Sequence, residues 1–305
     1  MKELVANDGT VIKKVKYKKT AKDRVEIGKK VLSSTLAQIF IWFFLLMAWL
    51  SIYLIVVKSI KTPTQDQKWP FEPTQIIWRV AVSNYSIALT TISKFIFNSF
   101  VITLIGTAGQ LIVPILTAYA FVRFRFPGKN AIFMGFLALM MIPGTLTLTS
   151  QYIIVKTLGM VNSIWGVILP AVSGAIPMSV FLLRSFFGGV SQEMFEAAEI
   201  DGARDLTVLM RIMVPLSMPI IAVLGVQAFM GIWNDYLWPS LVLLRSDART
   251  ISVALVSLTD QFYNMTHSYS VAFAGYLISA IPIIILFVFC SKQFVEGISA
   301  GAFKM

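Results

Sequence analysis

The sequence predicts an all-α integral membrane protein with six transmembrane helices and a short polar helix between the fourth and fifth. Three observations carry this reading. Of the 305 residues, 57% are hydrophobic and only 13% are charged, about half the charged share of a water-exposed domain; the mean hydropathy is +0.76. Apolar stretches long enough to cross a bilayer recur along the chain, separated by charges and helix breakers. Lys and Arg also divide unevenly about those stretches, eighteen on the side that would hold both termini and eight on the other, as the positive-inside rule requires for a cytoplasmic N- and C-terminus. With one Cys (Cys290) and one His (His267), a disulfide framework and a Cys/His metal cluster are excluded, and no metal site is expected. The net charge of +11 gathers in the N-terminal arm and beside the apolar stretches, so no nucleic-acid partner is expected either.

Residues 1–35 read as a basic cytoplasmic arm with no secretory signal pattern. The first span, Leu36 to Val57, would measure roughly 33 Å as a helix, enough for a hydrocarbon core of about 30 Å. Seven Lys or Arg lie within twenty residues before it and three within twenty after it. Residues 58–94 read as an outer segment in which Pro63, Pro70 and Pro73 argue against a long regular helix. The second span is expected from Phe95 to about Ala118. Asn98, near its outer end, serves either helix-to-helix hydrogen bonding or substrate contact.

Arg123, Arg125 and Lys129 surround an inner turn at Phe126-Pro127-Gly128. The third span, Ala131 to Leu148, should kink at Pro143-Gly144, with Gln151 and Lys156 in the outer loop. The fourth, Ser163 to Leu183, is expected to be interrupted at Pro170, Gly174 and Pro177, which fits a span lining a wet path or one buried among neighbours. The fifth runs from about Met213 to Trp238. Near its end stand Trp233, Asn234, Asp235 and Tyr236, residue types that suit a sugar site: ring faces pack on a pyranose while amide and carboxylate bind hydroxyls. The other reading is an interfacial aromatic belt with Asp235 in water. The lone His267 reads as a surface residue. Asn84-Tyr85-Ser86 and Asn264-Met265-Thr266 match a glycosylation pattern, which in a bacterial host is chance. The sixth span, Ser270 to Cys290, is kinked at Pro282, and residues 292–305 form a cytoplasmic tail. The six-span body is thus residues 36–291.

The segment between the fourth and fifth spans, residues 184–212, is the most informative. Ser191 can cap a helix whose residues Gln192, Glu196 and Glu199 form a polar ridge, with Met194, Ala197 and Ala198 on another side. Gly202 can end it in the left-handed conformation, and a second short helix can run from Asp205 toward Pro215. Glu196-Ala197-Ala198, three residues, Gly202, nine residues, Ile212 and then Pro215 resembles the cytoplasmic loop of permease subunits in ATP-binding-cassette importers. The longer string from Phe181 through Glu199-Ile200-Asp201-Gly202-Ala203 to Trp233-Asn234-Asp235-Tyr236-Leu237-Trp238-Pro239 is similar to the carbohydrate-uptake branch, most like the smaller permease of maltose-type systems. The tail, Phe294 to Lys304, resembles that permease's C-terminus more loosely, with Phe303 departing from the smaller residue usual there.

The resemblance implies a subunit of the bacterial plasma membrane that moves a sugar delivered by an extracytoplasmic binding protein. It implies a second, homologous permease and two copies of an ATPase subunit, with ATP and Mg held on those partners. Glu196, Ala197, Ala198, Glu199, Asp201, Gly202, Ala203 and Pro215 would form the ATPase-coupling segment, and Gly297, Gly301 and Lys304 a tail contact. Asn98, Trp233, Asn234, Asp235 and Tyr236 are the expected substrate-path residues. No phosphate loop and no catalytic motif occurs in the chain, so it is expected to be neither ATPase nor other enzyme. A permease for another solute, such as a glycerol phosphodiester, is the near alternative. A stand-alone carrier is the distant one, since no chain of intramembrane ionisable groups and no repeated halves are found.

Overall fold

The computed structural model describes the backbone of residues 2–5, 11–15 and 21–302, and side chains over residues 35–291 apart from Ser246. It divides into two compact units, Met1–Leu54 and Ile55–Met305. The first holds an antiparallel ribbon of β1 (Lys2–Val5) and β2 (Val11–Val15), an addition to the basic arm read from the sequence. It also holds most of helix α1 (Ala21–Ser59), whose stretch Thr35–Ser59 is long and apolar enough to cross a membrane.

The second unit opens with α2 (Pro63–Lys68). Thr62 caps it reciprocally: its hydroxyl accepts from the Gln65 N–H, and the Gln65 side chain accepts from the Thr62 N–H. Then comes α3 (Trp78–Arg123), 46 residues in one helix. The expectation of an irregular outer segment up to residue 94 is therefore corrected. The three prolines of that segment all precede Trp78, and nothing after them stops a helix. The sequence from Trp78 to Lys94 is too polar to score as a span, yet it is compatible with a helix that continues one.

The third span is not kinked but broken. α4 (Lys129–Met140) and α5 (Gly144–Thr157) meet at 103°, with Pro143 in extended backbone between them. Gln151 and Lys156, expected in a loop, lie on α5. The fourth span is the reverse case. α6 (Trp165–Phe187) runs through Pro170 and Pro177 without a break. Proline at 170 has no N–H for the Gly166 carbonyl four residues earlier, and that carbonyl takes the Trp238 indole N–H instead, at 3.0 Å.

α7 (Gln192–Ile200) and α8 (Asp205–Val208) follow, then a π-helical turn Leu209–Met213 and α9 (Val214–Leu216). The fifth span proper is α10 (Met218–Asn234), set at 82° to the segment Asp205–Leu216 across Ser217. The expected start at Met213 is corrected to Met218. Pro219 lacks the N–H that would carry helical bonding back across this bend. α11 (Leu237–Val242), a short 3₁₀ turn (Ser246–Ala248), α12 (Ile251–Thr266) and α13 (Ser270–Ala302) complete the chain. α13 carries on through the stretch read as a separate tail. Among the described residues, four helices are long and apolar enough to cross a membrane, or up to six spans if each bent pair is one.

α3 is the central element, packed on α6, α10 and α13. A Cβ at Gly106 would come within 2.6 Å of Ile232, and one at Gly109 within 2.7 Å of Val172. Bare backbone at these points lets α10 and α6 approach. Where α3 begins, a buried polar knot ties α2 and the ends of α1, α12 and α13 together. Asp66 pairs with Lys58 at 3.1 Å and accepts from the Ser268 hydroxyl at 3.0 Å. Lys61, only 1% exposed, donates to the Trp69 carbonyl. Asn84 donates to the carbonyls of Ser59 and Lys61, both at 3.0 Å, so its amide is buried and engaged. His267 is exposed and caps α12 in the left-handed conformation, φ +52°.

Candidate functional site: an elbow and a cavity

At the opposite end of α3 the chain between α6 and α10 forms an elbow. α7 ends at Ile200 with Asp201 as its C-cap, and Gly202 takes φ +69°. The Gly202 N–H bonds to the Glu199 carbonyl and the Ala203 N–H to the Ala198 carbonyl, each at 2.9 Å. This is a Schellman closure with glycine at its left-handed position, and the contact between Ala203 and the cluster containing Ala198 completes it. Gly202 thus ends the helix where its residue type suggests.

The faces of α7 differ from expectation. Phe195 and Ala198 are buried with Ala118, Tyr119, Leu183, Phe187, Val208, Leu209 and Met213, so Ala198 packs inward and offers nothing to a partner. That correction follows from Phe195, which at i−3 of Ala198 shares its face and pulls it toward the core. Burying a ring of that size stabilises the seat by roughly 1.5–3 kcal/mol. Glu199 is committed as well, paired with Arg123. What remains exposed is Glu196, Ala197, Asp201 and Pro215, together with Ile200, 87% exposed, and Leu206, 65% exposed. Ala203 is half-buried. Among the described residues, no large apolar side chain stands out further than Ile200.

Arg123, the last residue of α3, holds the elbow from beneath. It pairs with Glu199 of α7 and, at 3.1 Å, with Asp205 of α8. Tyr119, one turn earlier, donates to the same Asp205 oxygen at 3.3 Å, and the guanidinium lies 5.6 Å from the Phe195 ring centre. Beside it, Arg184 at the end of α6 stacks 3.7 Å over the Phe133 ring of α4.

The expected substrate-path residues do not form one site. Asn98 donates to the carbonyls of Asp247 and Arg249, both at 3.1 Å, and its neighbour Ser99 accepts from the Ile251 N–H at 2.7 Å. The pair fastens the start of α12 to α3. Trp233 is 2% exposed, stacked on Phe229 with ring centres 5.8 Å apart, and donates to the Ser279 carbonyl at 3.2 Å. Trp233, Asn234 and Tyr236 line one cavity, of about 310 Å³, with Tyr276 and Ser279. Asp235 lines a different cavity, of about 320 Å³, between α3, α6 and α10. Asp235 also accepts from the Trp238 N–H at 3.3 Å, at the start of α11.

That second cavity contains what the sequence reading passed over. Gln110 and Gln227 line it with Ser179 and Asp235 among small and apolar groups, and Gln110 donates to the Ala171 carbonyl at 2.9 Å. Glutamine at mid-span was the available signal. Among the described residues, no Lys, Arg or His lines it. Of the tail residues, Gly297 and Gly301 lie on the last turns of α13, and Lys304 lies outside the described residues.

Residues 31–299 match the family described as the binding-protein-dependent transport system inner membrane component. The chain belongs to this family. It is therefore a multi-pass membrane permease. It is 36% identical over 207 residues to the galactooligosaccharide transport system permease protein of Bacillus subtilis, covering 68% of this chain and 72% of the relative. It is 34% identical over 209 residues to a maltodextrin transport system permease protein of the same organism, covering 68% and 74%. In fold it is similar to a chain of a bacterial ATP-binding-cassette transporter involved in alginate import, with TM-score 0.74 over 90% of this chain and 98% of that one at 22% identity.

Proposed function

We propose that this permease carries a neutral sugar or oligosaccharide across the bacterial plasma membrane in six spans, with both termini cytoplasmic. In this reading a second homologous permease completes the path, and an extracytoplasmic binding protein delivers the sugar. Two ATPase subunits, which hold ATP and Mg, drive it through the elbow. The observation that carries the reading is the elbow itself. An exposed ridge of Glu196, Ala197 and Ile200 on a helix seated in the chain's own core is built to be gripped from outside. Relatives named for galactooligosaccharides and maltodextrin support the substrate class.

The cavity of Gln110, Gln227 and Asp235 favours this over a phosphodiester. A carboxylate and two amides without a cation suit hydroxyl groups and repel an anion. The grip must favour different span arrangements in the two ATPase states, since a contact equally good in both shifts nothing. The test is uptake of labelled galactooligosaccharide and maltodextrin by vesicles holding the full assembly. Uptake should need ATP and survive an uncoupler. Uptake by this chain alone, or its collapse with the uncoupler, would overturn the reading.

A further inference from the structure

We propose that Arg123 is the positioning residue through which movement of the elbow reaches the membrane helices. The inference rests on the coupling role proposed above and adds the link by which it acts. Three observations carry it. First, one guanidinium takes carboxylates from both arms of the elbow, Glu199 before the Gly202 turn and Asp205 after it. A planar fork with five donors can span two acceptors in this way, and a lysine ammonium cannot do so with the same fixed geometry. Second, Tyr119 reaches Asp205 from the same helix one turn away, so α8 is held to α3 at two points. Third, Arg123 is the terminal residue of α3, which packs on α6, α10 and α13. Displacing α7 therefore pulls on a helix that is packed against α6, α10 and α13.

The seat of the elbow is a separate matter. Phe195 and Ala198 anchor it by burial, whereas both carboxylates are about half exposed, 54% and 49%. Exposed ion pairs contribute about 0–1 kcal/mol each. Removing Arg123 should thus leave the protein folded and assembled while freeing the angle between α7, α8 and α3.

The experiment uses the assembled transporter with Cys290→Ser and spin labels on cysteines at Gln192, exposed at the start of α7 and outside the gripped ridge, and at Leu116, an exposed residue of α3. Distance distributions are recorded without nucleotide and with trapped ATP, alongside ATP hydrolysis. Wild-type Arg123 should give a narrow distribution that shifts with nucleotide. Arg123→Gln should broaden it about twofold or more and abolish the shift, with assembly intact. Glu199→Gln with Asp205→Asn should do the same, and combining all three changes should add almost nothing, because both sets remove the same two ion pairs. Arg123→Lys should fall between. An unchanged distribution and shift in Arg123→Gln, or additive effects in the combination, would overturn the proposal. If Arg123→Gln fails to assemble, the carboxylate pair of variants decides alone. A wild-type assembly whose labels ignore nucleotide would instead sink the coupling role on which the proposal rests.

Discussion

The Trp238 indole donates to the Gly166 carbonyl over 3.0 Å, and that carbonyl is the one Pro170 leaves without a helical partner. α11 therefore repairs α6, and the two are locked where the fifth span ends. Gly166 has no side chain because one would not fit: a Cβ there would come 2.3 Å from the Met160 carbonyl and 2.9 Å from Val242.

Trp238→Phe keeps the packing and removes the donor. It should destabilise the permease by about 1–3 kcal/mol, the cost of a buried acceptor left unpaired, read as a lower midpoint of thermal unfolding in detergent. An unchanged midpoint would mean the carbonyl finds another donor.

Gly202 sits at φ +69° with open space where a Cβ would go, so substitutions there act through conformation and not through clash. Gly202→Asn should be mild and Gly202→Ala should reduce uptake, at about 1–2 kcal/mol of backbone strain. Gly202→Pro, whose φ is fixed near −65°, should abolish uptake and ATPase stimulation while membrane abundance stays normal. Full uptake in Gly202→Pro would remove the turn from the mechanism.

Ala198→Lys and Ile200→Lys should fail differently. Lysine at 198 enters the cluster of Phe195 and Leu183 and should lower abundance. Lysine at 200 lies in the open and should leave abundance alone while weakening co-purification with the ATPase subunit. Equal behaviour of the two would contradict the orientation of α7.

Lys61 tests the knot at the other end. Burial, the larger cause, and the nearby Lys58 hold its ammonium below the ordinary 10.5, against the attraction of Asp66 and Glu72. Folding therefore disfavours the protonated form. That cost is complete below the folded-state pKa and is relieved as pH rises from there to 10.5. Relative to Lys61→Met, the wild-type midpoint should rise over that window; a constant difference would show that the charge carries no such cost.

Much of this was legible in the sequence because local signals decide it. Apolar length marked the helices able to cross a membrane, Pro143 and Gly144 marked the break between α4 and α5, and Gly202 marked the end of α7. What was missed depends on partners far along the chain. Glu199 reads as a free acid until α3 brings Arg123, 76 residues earlier, beneath it. Ala198 reads as open until Phe195 turns its face inward. Trp233 through Tyr236 read as one aromatic-polar patch, but α10 ends at Asn234, and the following residues part toward two cavities. Helix α3 was cut short in the reading because hydropathy measures where a helix meets lipid, not where it stops.

The unbroken course of α3 has one more consequence. At about 1.5 Å per residue its 46 residues reach some 69 Å, more than twice the roughly 30 Å of a lipid core. The same rod is pinned by Asn84 near one tip and by Arg123 at the other. A displacement at one end thus has a single continuous helix along which to reach the other end.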